Sequence, residues 1–182
     1  MNSNSNITHE KNDEEINLKI LRERARILAL KDDDEKPDEM EVLIFNLSHE
    51  NYAFETFEIK EVVKVNEITP LPSTPDYIRG IINVRGEILS VIDIRVFFNL
   101  NSEIRHDSYN IIIMKHANKM LGVIADEITG VFKIPKVNMQ ASLPTLDADR
   151  HQYLKGISNE RVIILDAKKI LNDKNLIIDE EI

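Results

Sequence analysis

Two side chains stand out chemically in the stretch Tyr77–Phe98, YIRGIINVRGEILSVIDIRVFF: Asn83 and Arg85, each set among residues otherwise suited to a core. Arginine carries a planar fork of donors that matches a carboxylate or a pair of backbone carbonyls, a geometry lysine lacks. No nucleophile or general base accompanies the two, so their spacing reads as a binding surface and not as a catalytic one. A second reading makes Arg85 an internal brace that holds its own turn through loop carbonyls. Both roles stay open at the level of sequence.

Other constellations offer less. His9, His49, His106, His116 and His151 are isolated, with no pair at the i, i+4 spacing of a helical metal site. The run Asp32-Asp33-Asp34-Glu35 lacks the alternating ligands and glycine of a calcium loop and reads as a solvated charge run. The five glycines form no phosphate-cradling loop, and neither Ser90 nor Ser158 sits in a G-x-S-x-G elbow. There is no cysteine, hence no disulfide, thiolate nucleophile or cysteine-ligated zinc. No cofactor and no metal are expected.

Composition narrows the classes. The chain has 182 residues, 42% hydrophobic and 30% charged, a globular balance for about one domain. A net charge of −9 argues against nucleic acid, whose binding depends on neutralising phosphates. No apolar run approaches the roughly 20 residues of a membrane span, and the polar N-terminus has no signal-peptide core, so a cytoplasmic protein without membrane insertion is expected.

The elements that must position Asn83 and Arg85 follow from periodicity and turn chemistry. Residues 1–12 read as a disordered tail, and Asp13–Lys31 as an amphipathic helix with acid in its first turn and Ile16, Ile20, Ile27 and Leu28 on one face. A charged linker with Pro37 brings the chain to residue 39. Strands are expected at Val42–Leu47 and Tyr52–Phe54, then one helical turn running into a strand over Glu58–Val65, and a proline loop over Glu67–Asp76. Ile81–Val84 and Ile88–Ile92 read as a tight hairpin with Gly86 at positive φ, followed by a short helix from Ile94 that Asp93 caps. Further strands fall at Tyr109–Lys115, Met120–Ala125, Val131–Ile134, Leu154–Ile157 and Arg161–Leu165. A helical turn over Ala167–Leu171 and a tail over 172–182 close the chain. Many short strands with little helix predict an all-β body built of barrels.

An internal echo sharpens this. Glu58-Ile-Lys-Glu-Val-Val-Lys-Val65 returns 69 residues later as Glu127-Ile-Thr-Gly-Val-Phe-Lys-Ile134. Gly80-Ile-Ile-Asn-Val-Arg85 returns 76 residues later as Gly156-Ile-Ser-Asn-Glu-Arg161, and Asp93 and Asp166 close the two hairpins. Two similar β subdomains are implied, each too small to stand comfortably alone, so a shared core is expected.

These motifs resemble the chemotaxis coupling protein (CheW) family over roughly residues 40–171. Carrying the likeness are Arg79-Gly-Ile-Ile-Asn-Val-Arg-Gly86, then Leu89-Ser-Val-Ile-Asp-Ile-Arg95, and Tyr153-Leu-Lys-Gly156. The resemblance implies two SH3-like five-stranded β-barrels and no enzymatic activity, to which the short helical turns and the N-terminal amphipathic helix read from the residues are added, the helix being longer than a minimal coupling protein needs. It implies an adaptor that couples the signalling tip of a chemoreceptor (a methyl-accepting chemotaxis protein) to the regulatory domain of a histidine kinase, recruited to membrane-associated receptor arrays. Carried over by position, its partner-contact residues are Asn83, Arg85, Ile59, Glu61 and Ile111, the last lining a groove between barrels, with Gly80 and Gly86 as structural turn glycines. Alternatives are a similar scaffold in a non-chemotactic kinase pathway, its N-terminal helix selecting partners, and a small β-barrel enzyme.

Overall fold

The uninterrupted apolar runs Val-Leu-Ile-Phe (42–45) and Ile-Ile-Ile-Met (111–114) are too hydrophobic for strands with one wet face. The computed structural model, which describes residues 38–100, 108–140 and 151–176, shows why: both faces of these strands are buried. Eleven strands are described, β1 (Glu39–Leu47), β2 (Glu50–Glu55), β3 (Ile59–Val65), β4 (Ile78–Val84), β5 (Glu87–Ile92), β6 (Tyr109–His116), β7 (Lys119–Ala125), β8 (Glu127–Pro135), β9 (Met139–Gln140), β10 (Leu154–Ser158) and β11 (Ile163–Leu165). Helix α1 spans Ile94–Phe97 and α2 spans Ala167–Asn172. The expected N-terminal helix lies outside the described residues.

The strands form two sheets of one topology. The first runs β3-β6-β7-β5-β4 and the second β8-β1-β2-β11-β10-β9. The echoed pairs β3/β8 and β4/β10 occupy the same places in the two orders, and β5 beside β7 and β11 beside β2 are parallel in both. The match extends further than the echo, because hairpin β1–β2 takes in the second sheet the place that β6–β7 takes in the first. The subdomains are therefore not consecutive halves: the N-terminal hairpin completes the C-terminal barrel. The second sheet also gains the two-residue β9.

Alternation along each strand distributes side chains between three cores. Ile82, Leu89, Val91, Ile111, Ile113 and Ile124 fill the first barrel. Val42, Ile44, Ala53, Ile134, Val162 and Ile164 fill the second. The residues between them in sequence (Leu43, Phe45, Phe54, Ile112, Met114, Val123, Leu165 and others) meet in a larger core between the barrels. Each large side chain fully withdrawn there contributes about 1.5–3 kcal/mol, which binds the barrels into one compact unit. That core continues past Leu171: Leu176 is 1% exposed within it, so the expected tail begins later than residue 172.

Each helix starts where sequence placed it. Asp93 Oδ1 accepts from Arg95 N–H at 3.1 Å and Asp166 Oδ1 from Lys169 N–H at 3.0 Å, both side-chain caps on the opening turn. The helical turn expected from Glu58 onward comes earlier, as a 3-10 turn over Thr56–Glu58, and Ile59–Val65 is strand throughout. Strand β8 opens at Glu127, four residues before the expected Val131, because its first half pairs with the far end of β1.

Candidate functional site

Pairing Val84 with Glu87 leaves Arg85-Gly86 as a two-residue hairpin turn. Both residues have positive φ, 55° for Arg85 and 89° for Gly86, as the tightest hairpins require. Gly86 accommodates this freely. Asparagine, aspartate or glycine is the usual first residue of such a turn, and a left-handed arginine costs about 1–2 kcal/mol. Asn83 Oδ1 offsets part of that cost by accepting the Gly86 N–H at 2.9 Å. Asn83 is thus a turn-fixing residue, with the rest of its side chain exposed.

Glu61 arrives from the opposite end of the sheet order. Barrel closure brings β3 to the β4–β5 turn, and Arg85 Nη2 lies 3.1 Å from Glu61 Oε2. The Arg85 side chain is 81% exposed and that of Glu61 19%. A pair this open is worth about 0–1 kcal/mol, no more than the strain of the turn. Lys60 pairs with Glu87 in the same corner, and its hydrogen bond and charge hold the Glu87 carboxyl below the ordinary glutamate range. Ile88, opposite Asn83 in register, is 66% exposed. The corner is an exposed guanidinium and an isobutyl-sized apolar side chain set among paired charges.

The remaining expected residues divide. Ile59 opens β3 beside Met114 and is half-buried against the core between the barrels. Ile111 does not line a groove: it is 0% exposed inside the first barrel, on β6, where Gly122 leaves room for its Cγ2. The period of two sends its neighbours Ile112 and Asn110 to the opposite face, and only one face of β6 looks toward the second barrel. Gly80 serves no turn. It lies within β4 at φ 136°, where a Cβ would come 2.0 Å from the Thr69 carbonyl oxygen, and it lets Thr69 pair with Ile81 across the barrel closure.

Sequence reasoning missed two buried charge clusters, one at each connection between barrels. At the β7–β8 connection, Arg95 is 3% exposed and takes both oxygens of Asp93, at 2.8 Å each, while its third nitrogen pairs with Asp126. Burial opposes its charge, but the hydrogen bond and charge of Asp93 and the charge of Asp126 raise its pKa regardless. At the β2–β3 connection, Lys155 of β10 donates to Glu55 at 2.6 Å and to the buried Glu58 at 3.1 Å. Burial pushes the Glu58 carboxyl above the ordinary range despite Lys155. Arg95, which with Asp93 interrupts the otherwise apolar run IDIRVFF, carried a signal for the first cluster; nothing local marked Glu58 and Lys155.

Comparison with known proteins accords with this architecture. A family model for the CheW-like domain matches residues 41–175. The chain belongs to the CheW-like family. The CheW chemotaxis protein of Helicobacter pylori is 29% identical over 157 residues, 85% of this chain and 95% of that protein. CheW of Treponema pallidum is 27% identical over 146 residues, 76% of this chain and 86% of that one. The crystal structure of the scaffolding protein TtCheW from Thermoanaerobacter tengcongensis superposes with a TM-score of 0.62 at 31% identity, covering 69% of this chain and 88% of that one. CheW-like proteins are non-catalytic scaffolds, and the paired SH3-like barrels here are that scaffold. Among the described residues no helix is long and apolar enough to cross a membrane.

Proposed function

We propose that this chain is an adaptor that couples the cytoplasmic signalling tip of a chemoreceptor to the regulatory domain of a histidine kinase. In this reading it is recruited to receptor arrays through those contacts, and Arg85, Asn83, Glu61 and Ile59 form the partner-facing corner of the first barrel. The supporting observation is that Arg85 occupies a strained, exposed position where it adds little to stability. Strain retained at an exposed side chain points to function. Ile111 enters the surface only by shaping the sheet behind it.

Titration of the full chain with a receptor-tip fragment, and separately with the kinase regulatory domain, tests this. Arg85→Glu and Arg85→Asn should each weaken at least one partner by about tenfold or more, a loss of about 1.4 kcal/mol. Arg85→Asn should at the same time raise the melting temperature, because asparagine suits the left-handed turn. A variant that melts early and keeps its binding makes Arg85 a brace. A wild type that binds neither partner ends the adaptor reading.

A further inference from the structure

The 3-10 turn that leads from the second barrel into β3 ends in a carboxylate with two unlike oxygens. Glu58 is 4% exposed. Its Oε1 accepts from Lys155 Nζ at 3.1 Å, while its Oε2 is buried with no hydrogen-bond partner among the described residues. Lys155 is shared: it also donates to Glu55 at 2.6 Å and stands 5.5 Å from the centre of the exposed Phe57 ring. One cation on β10 thus holds Glu55, Phe57 and Glu58 of the connection, and the residue after Glu58 is Ile59, the first of β3.

Charge on a buried oxygen that no donor reaches is costly. A proton placed on Oε2 removes that cost and leaves Oε1 free to accept from Lys155. The charged groups acting on Glu58 are Lys155 from β10, Glu55 from the end of β2 and Asp166 from the cap of α2, so two acids stand against one base. Of the other strands packed on the turn, β1 directs Glu41 to the Thr56 hydroxyl at 2.8 Å, and Lys115 of β6 acts on Glu87 instead. Burial, helped by the two acids, outweighs Lys155 and raises the Glu58 pKa.

We infer that Glu58 and Lys155 form a proton-operated clamp between the barrels, which holds the start of β3 while Glu58 is charged and loosens when a solvent proton neutralises it. Neutralisation removes the attraction between Lys155 and Glu58 and leaves Glu55 as the nearer anion for the lysine. Ile59 and Glu61 of the partner-facing corner follow directly in the chain, so a loosened clamp leaves more of that corner to be ordered on binding. The inference rests on the adaptor reading and adds regulation to it: the receptor tip binds less tightly in acid.

Nuclear magnetic resonance of the full chain follows the Phe57 ring over about pH 5–8, with titrations of the receptor-tip fragment at both ends of that range. The ring signals should move with a midpoint above the ordinary glutamate range, and the tip should bind about fivefold more weakly at the acid end. Glu58→Gln, neutral at every pH, should bind with the acid-end affinity throughout and abolish the ring's titration. Lys155→Met should also lose the pH dependence of binding, and melting curves establish that both variants are folded. A ring that does not titrate, or a Glu58→Gln variant that keeps the wild-type pH dependence of binding, overturns the inference and leaves the adaptor reading intact. A ring that titrates while the tip binds equally at both ends overturns it as well. A wild type that binds the tip at no pH removes the adaptor reading and its regulation together.

Discussion

The two connections between the barrels face the same electrostatic problem and solve it unequally. Each holds two carboxylates and one cation: Asp93, Asp126 and Arg95 where β7 passes into β8, and Glu55, Glu58 and Lys155 where β2 passes into β3. In the first, Arg95 spreads its donors over both acids, and Ser48 N–H donates to the other oxygen of Asp126, Oδ2, at 2.8 Å. The Asp126 N–H reaches Asn46 C=O at 3.0 Å, so this residue ties the β1–β2 turn of one barrel to α1 of the other. In the second, Lys155 is a point charge with three donors, and it leaves Glu58 Oε2 buried with no partner among the described residues. Equal formal charge thus gives one joint whose carboxylates are both engaged and one that leaves a carboxylate oxygen buried without a partner. The lesson is that the shape of the cation, and the backbone donors within reach, decide whether a buried cluster is a clamp or a liability.

Removing the cation of the first joint should have the largest effect. Arg95→Ala leaves two buried carboxylates facing each other and should cost about 3–5 kcal/mol, read from urea unfolding. Arg95→Lys should recover only part of this, since it cannot grip both oxygens of Asp93 while reaching Asp126. Full recovery would show that charge alone matters there.

Lys155→Met should cost less, about 2 kcal/mol, because Glu55 keeps some access to water. Adding Glu58→Gln should restore part of the loss, since the double variant no longer buries an unpaired charge. Strict additivity of the two changes in unfolding free energy would break the comparison, because it would mean that Lys155 and Glu58 do not act on each other.

The smallest effect is in the pH dependence. The Glu58 carboxyl is raised by burial, so the folded chain binds its proton more tightly than the unfolded chain does. Its contribution to stability is greatest in acid and falls as pH climbs from the ordinary glutamate range through the raised value. Glu58→Gln should flatten that part of the profile without altering the steeper losses due to other groups. An unchanged profile in the variant would show that Glu58 titrates normally.

Much of the body was legible because the relevant signals are local. Short turns between apolar runs placed β4–β5 and β6–β7, Asp93 announced its cap, and the echo announced a repeated unit. Arg85, Asn83 and Gly86 were legible as a turn for the same reason. Ile111 was misplaced because a strand of consecutive isoleucines buried on both faces gives no sign of which core each one enters. The boundary between barrels was also hidden: the echo runs in sequence order, whereas the second barrel borrows its β1–β2 hairpin from the start of the chain.

The sequence by itself determined the strand-rich architecture, the Arg85-Gly86 turn and the internal repeat, since these depend on period, turn chemistry and motif spacing within a few residues. Only the tertiary structure decided which hairpin closes which barrel, that Glu61 claims Arg85, and that Arg95 and Lys155 pin the two joints. Those outcomes depend on groups 24 to 100 residues apart along the chain, and only barrel closure, which no local pattern encodes, brings such groups together.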